Sequence, residues 1–382
     1  MKIEKLLVFI STMFLTIIGL VLNASVLTTN SLFFFKSVII VFLGLAVFLA
    51  IYYFFKFEYL KHWWVYLLGG FGMFVLLILT LTIGPEINGA HRWIDMGPFL
   101  FQPSEFAKLY AVLLISFVIY KYPKDETRQL TALFTVLLMC VLIYFQPDLG
   151  MSFFIFIISM LMFFVAGMLS RVKLKFLAGS FAAALFLFVV LFAFSSAFRE
   201  KLERMASYQL KRVDRYFQQI FPYKVSIEGL NVKLEPAENF DFTPFSEQSL
   251  KVREAIMHAT WLGAGISQGS YTKYLPAKHN DYIAVLAMEE MGIIGVMFIG
   301  FLFLVLFVSI LTISFNSESV FVHYITLGIG FILFLQALFH FGVNFQVLPE
   351  KGIALPFVSY GGTSYIANIT MIALVLKARV KG

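Results

Sequence analysis

Tyr274 to Gly292 reads YLPAKHNDYIAVLAMEEMG, a polar cluster of Lys278, His279, Asn280 and Asp281 at the mouth of an apolar run that continues to Ser314. A run of that length is a membrane-spanning helix, since about 20 apolar residues in helical form cross the roughly 30 Å core of a bilayer. A carboxylate at such a boundary is costly to bring out of water and marks a candidate functional site. The same juxtaposition of polar residues and apolar run recurs at GAHRW (Gly89 to Trp93), FQPSEFAK (Phe101 to Lys108), QPDLG (Gln146 to Gly150) and LPFVSYGG (Leu355 to Gly362).

Composition agrees with that reading. With 60% hydrophobic and only 13% charged residues and a mean hydropathy of +0.88, the chain is an all-α polytopic membrane protein, and a water-soluble core is excluded. Apolar runs at about Leu6 to Leu22, Ser31 to Phe55, Trp63 to Ile83, Pro103 to Tyr120, Leu130 to Phe145, Leu149 to Met168, Phe176 to Phe198, Tyr282 to Ser314, Val320 to Phe341 and Pro356 to Leu376 predict about ten transmembrane helices. None alternates as a barrel strand must. The first run has no convincing small-residue cleavage site after it and is read as a retained span. Cys140 is the only cysteine, lies inside a span, and is read as a packing residue.

Lysine and arginine set the orientation. Lys2 and Lys5, Lys56 and Lys61, Lys121, Lys124 and Arg128, Arg171, Lys173 and Lys175, then Lys377, Arg379 and Lys381 fall in every second connection. The positive-inside rule makes those connections, and both termini, cytoplasmic. The net charge of +7 therefore reflects topology rather than a nucleic-acid partner. All five polar motifs then face outward. So does residues 199–280, an extracytoplasmic loop between spans seven and eight inside a single membrane domain over residues 1–382, far longer than the usual connection of roughly 4 to 6 residues. Its first part, FREKLERMASYQLKRVDRYFQQIF, places charged and aromatic residues at helical spacing and predicts an amphipathic helix in the membrane interface; the remainder is expected to be irregular in part.

Each polar residue has a chemical and a structural reading. Asp281 is placed to take a proton, because burial raises a carboxylate's pKa toward neutrality; Asn280 or Asp281 would equally cap the helix that follows. Glu289 and Glu290 lie about two turns further in and are read as pairing residues or functional ones. Glu105 and Lys108 share a helix face, either as an ion pair that fixes packing or as part of a site, with Pro103 at the helix start. Arg92 beside Trp93 is an interface anchor or a phosphate clamp. Arg212 and Arg215, with Lys201 and Lys211, form either a diphosphate-binding surface or a solvated basic face. His279 orients Asp281 or ligates a metal, but no second His or Cys stands at ligand spacing, so a structural metal is not supported. Gly361 and Gly362 after Ser359 and Tyr360 allow a close backbone turn.

In their order and spacing these motifs resemble the SEDS family (shape, elongation, division and sporulation), of the FtsW, RodA and SpoVE type. The resemblance rests on GAHRW, FQPSEFAKL, QPDLG, LP followed by HNDYIAVLAMEEMGIIG, and LPFVSYGGTS, from the third span to the tenth. LFLQALFHFGVNFQVLPEKGIALPFVSYGG (Leu333 to Gly362) is more similar to the division branch than to the elongation branch, largely through Lys351 and Gly352. Two departures stand out: SLKVREAIMHATWLGAG (Ser249 to Gly265) lacks the family's Gly-rich turn at Met257 to Thr260, and His91 precedes the retained Arg92.

The resemblance implies an inverting glycosyltransferase that polymerises lipid II at the outer face of the bacterial cytoplasmic membrane, for septal synthesis in cell division. It implies Asp281, in the LPxxHxD pattern, as the base, and Arg92, Lys108, Arg212 and Arg215 as cations around the diphosphate, with a divalent cation (Mg or Mn) as a further expectation. Glu105 is expected to hold Lys108, while Gln146, Asp148, His279, Asn344, Ser359 and Tyr360 complete the substrate-binding set. The implied partners are lipid II, the undecaprenyl-diphosphate-linked glycan strand, a class B penicillin-binding transpeptidase, and other divisome or elongasome membrane proteins. Against this stand an elongation polymerase, a lipid II flippase and a scaffold. A transporter should carry polar residues on both leaflets and broken helices near the midplane, so transport ranks below catalysis.

Overall fold

The computed structural model describes residues 2–25, 31–87, 89–97, 100–168, 170, 223–228, 231–236, 247–275, 277–348 and 352–380. The apolar runs fold as helices: α1 (Ile3–Ser25), α2 (Ser31–Phe54), α3 (Trp63–Ile83), α4 (Pro103–Lys121), α5 (Glu126–Phe145) and α6 (Leu149–Val165). After α7 (Glu247–Met257), in the long loop, come α8 (Ile283–Phe315), α9 (Val320–Asn344) and α10 (Gly362–Lys377). Among the described residues seven helices are long and apolar enough to cross a membrane, and α6 and α10 are shorter apolar helices. The chain is a multi-pass helical membrane protein. The span expected over Phe176 to Phe198, and the interfacial helix that carries Lys201, Lys211, Arg212 and Arg215, lie outside the described residues.

Sheet is minimal. β1 (Ile94–Asp95) and β2 (Leu100–Phe101) pair in a small hairpin between α3 and α4. In the part of the long loop expected to be irregular, β3 (Tyr223–Glu228) and β4 (Asn231–Pro236) form an antiparallel pair with Tyr223 opposite Pro236 and Glu228 opposite Asn231.

Lipid tails are as apolar as leucine, so membrane helices associate through close fit and interhelical hydrogen bonds rather than a hydrophobic drive. α1 shows this: Val8, Ser11, Thr12, Leu15, Thr16, Gly19, Leu22 and Asn23 recur every three to four residues and are buried, while its other face is exposed. Gly19 is required for space, since a Cβ there would stand 2.7 Å from the Val358 carbonyl oxygen. α4 is buried on nearly every side, packed against α3, α5, α6, α9 and α10, which places Glu105 and Lys108 in the interior. α1 packs on α8, and α2 on α10. Lys5 Nζ donates to Leu376 O at 2.9 Å and Lys2 Nζ to Val380 O at 3.2 Å, so the start of α1 and the end of α10 lie on one side of the bundle.

α8 is broken. Gly292 takes φ +75° and ψ −176° inside it, a conformation that L side chains rarely adopt. The backbone groups released by the break are taken by the loop before it: Ile293 N donates to Thr260 O, Ile294 N to Trp261 O, and Ala264 N and Gly265 N donate to Glu289 O and Glu290 O, all at 2.8 to 3.2 Å. The run from Ile293 to Phe315 is long enough by itself to cross a bilayer at about 1.5 Å per residue. Ile283 to Met291 is thus a separate half-helix, and Tyr282 at its N-cap directly follows Asp281. The segment from Thr260 to Gly265 fills this break.

Candidate active site

Four connections and the helices they join close around a cavity of about 620 Å³. Its walls carry Arg92, Trp93 and Asp95 from the α3–α4 connection, Gln102 and Glu105 at the start of α4, Asp148 and Met151 at α6, Asn280 and Asp281 before α8, Gln336 on α9, Gly352 and Tyr360 to Ser364 around the start of α10, and Lys36 on α2. All five polar motifs therefore contribute to one site, although the first begins at Gly89 and the last at Leu355. Gln102 N donates to Thr363 Oγ1 at 3.1 Å, and that hydroxyl donates to Leu100 O at 2.9 Å, which ties the β1–β2 hairpin to the first turn of α10.

Asp281 ends a tight turn in which Asn280 N and Asp281 N both donate to Ala277 O at 2.9 Å. It does not cap α8: Tyr282 holds the N-cap position without a side-chain cap bond. The turn is held from two sides. Ser359 Oγ donates to Asn280 O at 2.7 Å, and Asn344 Nδ2 donates to Asp281 O at 2.8 Å. Gly352 then lies against the carboxylate, where an added Cβ would meet Asp281 Oδ2 at 2.7 Å and Oδ1 at 3.0 Å. The backbone on both flanks thus fixes the carboxylate on the cavity wall, which is what a proton acceptor needs in order to meet a substrate hydroxyl at hydrogen-bond distance.

Arg92 faces the cavity rather than the lipid interface. Its guanidinium bonds the Pro147 carbonyl and stands 3.9 Å from Asp148, whose carboxylate also caps α6 by accepting from Met151 N at 3.2 Å. Glu105 and Lys108 form a buried pair at 2.7 Å. Lys108 Nζ also donates to Gln336 Oε1 at 2.6 Å and faces Asn368 Oδ1 at 3.5 Å. With its side chain fully buried, the ammonium is stable there because each partner replaces part of its lost hydration.

A sequence model of the family described as cell cycle protein, covering FtsW, RodA and SpoVE, matches residues 2–381. The chain belongs to this family. It is 30% identical over 352 residues to the probable peptidoglycan glycosyltransferase FtsW of Allochromatium vinosum, covering 88% of this chain and 78% of that one. It is 32% identical over 310 residues to the probable peptidoglycan glycosyltransferase FtsW of Haemophilus influenzae, covering 79% and 70%. Among solved structures, one reported as "Structural coordination of polymerization and crosslinking by a peptidoglycan synthase complex" shares the fold with a TM-score of 0.70 at 23% identity, covering 97% of this chain and 95% of that one. The rod shape determining protein RodA of Thermus thermophilus does so with a TM-score of 0.64 at 21% identity, covering 97% and 94%.

The remaining residues expected at the family's site divide by position. Tyr360 lines the cavity, burial raises its phenol above the ordinary range, and its ring meets His279 edge-on at 5.8 Å. Burial holds the His279 imidazole below the ordinary histidine range, and the Lys278 charge adds to this. Lys278 is itself held low by burial, against the raising influence of Glu290 and Glu289. Gln146, Asn344 and Ser359 stand behind the wall: Gln146 Nε2 donates to Leu77 O at 3.0 Å, and the other two hold the Asp281 turn. Arg212 and Arg215 lie outside the described residues. The Glu289 carboxylate accepts from Tyr271 N and Thr272 N at 2.7 and 2.8 Å, while Glu290 is buried beside Ser25, Ser267 and Lys278.

Sequence reading missed Lys36, Gln336 and the contact role of Gly352. Lys36 and Gln336 carried a signal, being polar residues inside apolar runs; Gly352 carried none beyond its neighbourhood. Among the described residues no three of His, Cys, Asp and Glu converge as metal ligands. No step is routed through Mg or Mn.

Proposed function

We propose that this cavity performs peptidoglycan glycosyl transfer, polymerising lipid II into glycan strands for septal synthesis. The observation that carries the reading is the Asp281 carboxylate, held on the wall of a cavity built from all five motifs, in a chain whose relatives are named peptidoglycan glycosyltransferases. In the reaction the carboxylate takes the proton of an acceptor sugar hydroxyl. The freed oxygen pair attacks the anomeric carbon of the lipid-linked donor from the face opposite the diphosphate, the C–O bond to that diphosphate breaks, and undecaprenyl diphosphate leaves with the bonding electrons. Attack from the opposite face inverts the anomeric configuration. Diphosphate is already a good leaving group, so positive charge outweighs a general acid here; Arg92 and Lys36 supply it on the wall.

Both termini are assigned to the cytoplasm and the cavity to the outer face, on the distribution of lysine and arginine. Residues 1–382 are read as one membrane domain with 199–280 as its outer loop. The partner class is a penicillin-binding transpeptidase of class B, supported by the neighbour solved in a complex for polymerisation and crosslinking; it is assigned to α8, α9 and the long loop. Transport gains little from the break in α8, because the groups it releases are taken by Thr260, Trp261, Ala264 and Gly265.

The test is polymerisation of purified lipid II, with and without the cognate transpeptidase, by wild type and Asp281→Ala at equal folding and equal complex formation. Strands made by wild type alone support the reading. Equal strands from the variant remove Asp281 as base, and lipid translocation without strands removes the enzyme.

A further inference from the structure

α9 carries three polar side chains four residues apart, Gln336, His340 and Asn344, in an otherwise apolar span. That spacing puts them on one helix face, one above another. All three are at most 1% exposed, and each reaches across to backbone on the catalytic side. Gln336 Nε2 donates to Ala354 O at 2.8 Å, His340 Nδ1 bonds Ile353 O at 2.6 Å, and Asn344 Nδ2 bonds Asp281 O at 2.8 Å and His340 O at 3.0 Å. A carbonyl only accepts, so His340 carries its proton on Nδ1; Nε2 is buried without a hydrogen-bond partner. The row therefore grips two pieces of chain at once. Its lower end holds the Asp281 backbone, and its upper part holds Ile353 and Ala354, which follow directly on the Gly352 that lies against the Asp281 carboxylate.

We propose that the Gln336, His340 and Asn344 row sets the separation between Gly352 and the Asp281 carboxylate, and that His340 is a positioning residue for the glycosyl transfer. This rests on the reading of Asp281 as base. His340 is not on the cavity wall and touches no substrate; it acts by fixing the Ile353 carbonyl. Gln336 extends the row to the buried pair, since its Oε1 accepts from Lys108 while its Nε2 holds Ala354.

Two substitutions of similar chemistry separate positioning from mere packing. Asparagine places its amide nitrogen near the position of Nδ1 and keeps a donor for Ile353 O, whereas the longer glutamine places its donor near Nε2. In lipid II polymerisation with the cognate transpeptidase present, His340→Asn is expected to keep kcat within about 3-fold of wild type. His340→Gln is expected to lose about 10- to 100-fold in kcat with KM little changed, the scale of a carboxylate misplaced by up to an ångström. A second arm does not depend on turnover: a water-soluble carbodiimide is used to label Asp281, read by mass spectrometry, and labelling should rise several-fold in His340→Gln but not in His340→Asn. Equal kcat and equal labelling in the two variants, at matched thermal stability, would overturn the proposal. Should wild type itself make no strands, the proposed function fails, and the labelling arm still decides whether the row holds the carboxylate.

Discussion

Gly352→Ala tests whether the Asp281 carboxylate works from where the fold holds it. Gly352 is exposed and has no left-handed φ, so alanine suits its backbone and the substitution acts through its Cβ alone. That atom would lie 2.7 Å from Oδ2, 3.0 Å from Cγ and 3.0 Å from Oδ1, where ordinary contact begins near 3.4 Å. Because Asn344 and Ser359 hold the turn behind it, the side chain cannot retreat with its backbone and must rotate or shift by roughly half an ångström or more. Misplacement on the ångström scale costs about 10²-fold in rate, equivalent to about 2.7 kcal/mol of transition-state stabilisation. The assay is single-turnover and steady-state polymerisation of lipid II with the cognate transpeptidase, with thermal unfolding in detergent as control. A kcat lowered by about 10- to 100-fold, with near-normal KM and unfolding temperature, is the expected result. Wild-type kcat in Gly352→Ala would refute the claim that this contact holds the base.

Other consequences follow from the same structure. Lys108→Met leaves the Glu105 carboxylate buried without its cation and should cost about 3–5 kcal/mol, much of which Glu105→Leu in the same chain should restore; equal unfolding temperatures for the single and double variants would show that the pair contributes little. Gly292→Ala puts a Cβ 2.3 Å from the Trp261 carbonyl oxygen at φ +75°, so it should destabilise by about 1–3 kcal/mol and raise hydrogen exchange at residues 260–265; unaltered exchange there would count against the role of the break. The folded pKa of His279 lies below its unfolded value near 6.5, so the unfolded chain takes up the proton first and the stabilisation, full above about pH 6.5, is lost as pH falls beneath it. The unfolding temperature should therefore drop on acidification below about pH 6.5, and His279→Gln should flatten that part of the curve.

Most of the fold was legible because a bilayer is a demanding solvent. It forces every crossing segment to be apolar and internally hydrogen-bonded, so span positions could be read within a few residues of α1 to α6 and of α9. It also makes each intramembrane charge conspicuous, which is how Asp281, Glu105 and Lys108 stood out. The same uniform polarity hides other features. Tyr282 to Ser314 reads as one helix, yet its course is split at Gly292, because glycine is common in membrane helices and breaks one only where another segment can take up the released backbone groups. Arg92 read equally well as an interface anchor, and only the position of Asp148 and Pro147 turns it into the cavity.

By itself, then, the sequence determined a many-spanning helical chain and the polar motifs, Asp281 among them, that line one cavity, since each follows from local polarity and charge. Tertiary structure decided which polar groups line the cavity and which bond backbone. Asn344, Ser359, His340 and Gln336 look alike as intramembrane polar residues, but their partners lie on other elements, reached only when α9 packs beside the segment from Gly352 to Ser359. Whether a buried donor faces a cavity or a carbonyl depends on what packs opposite it, and the residues next to it in the chain do not specify that.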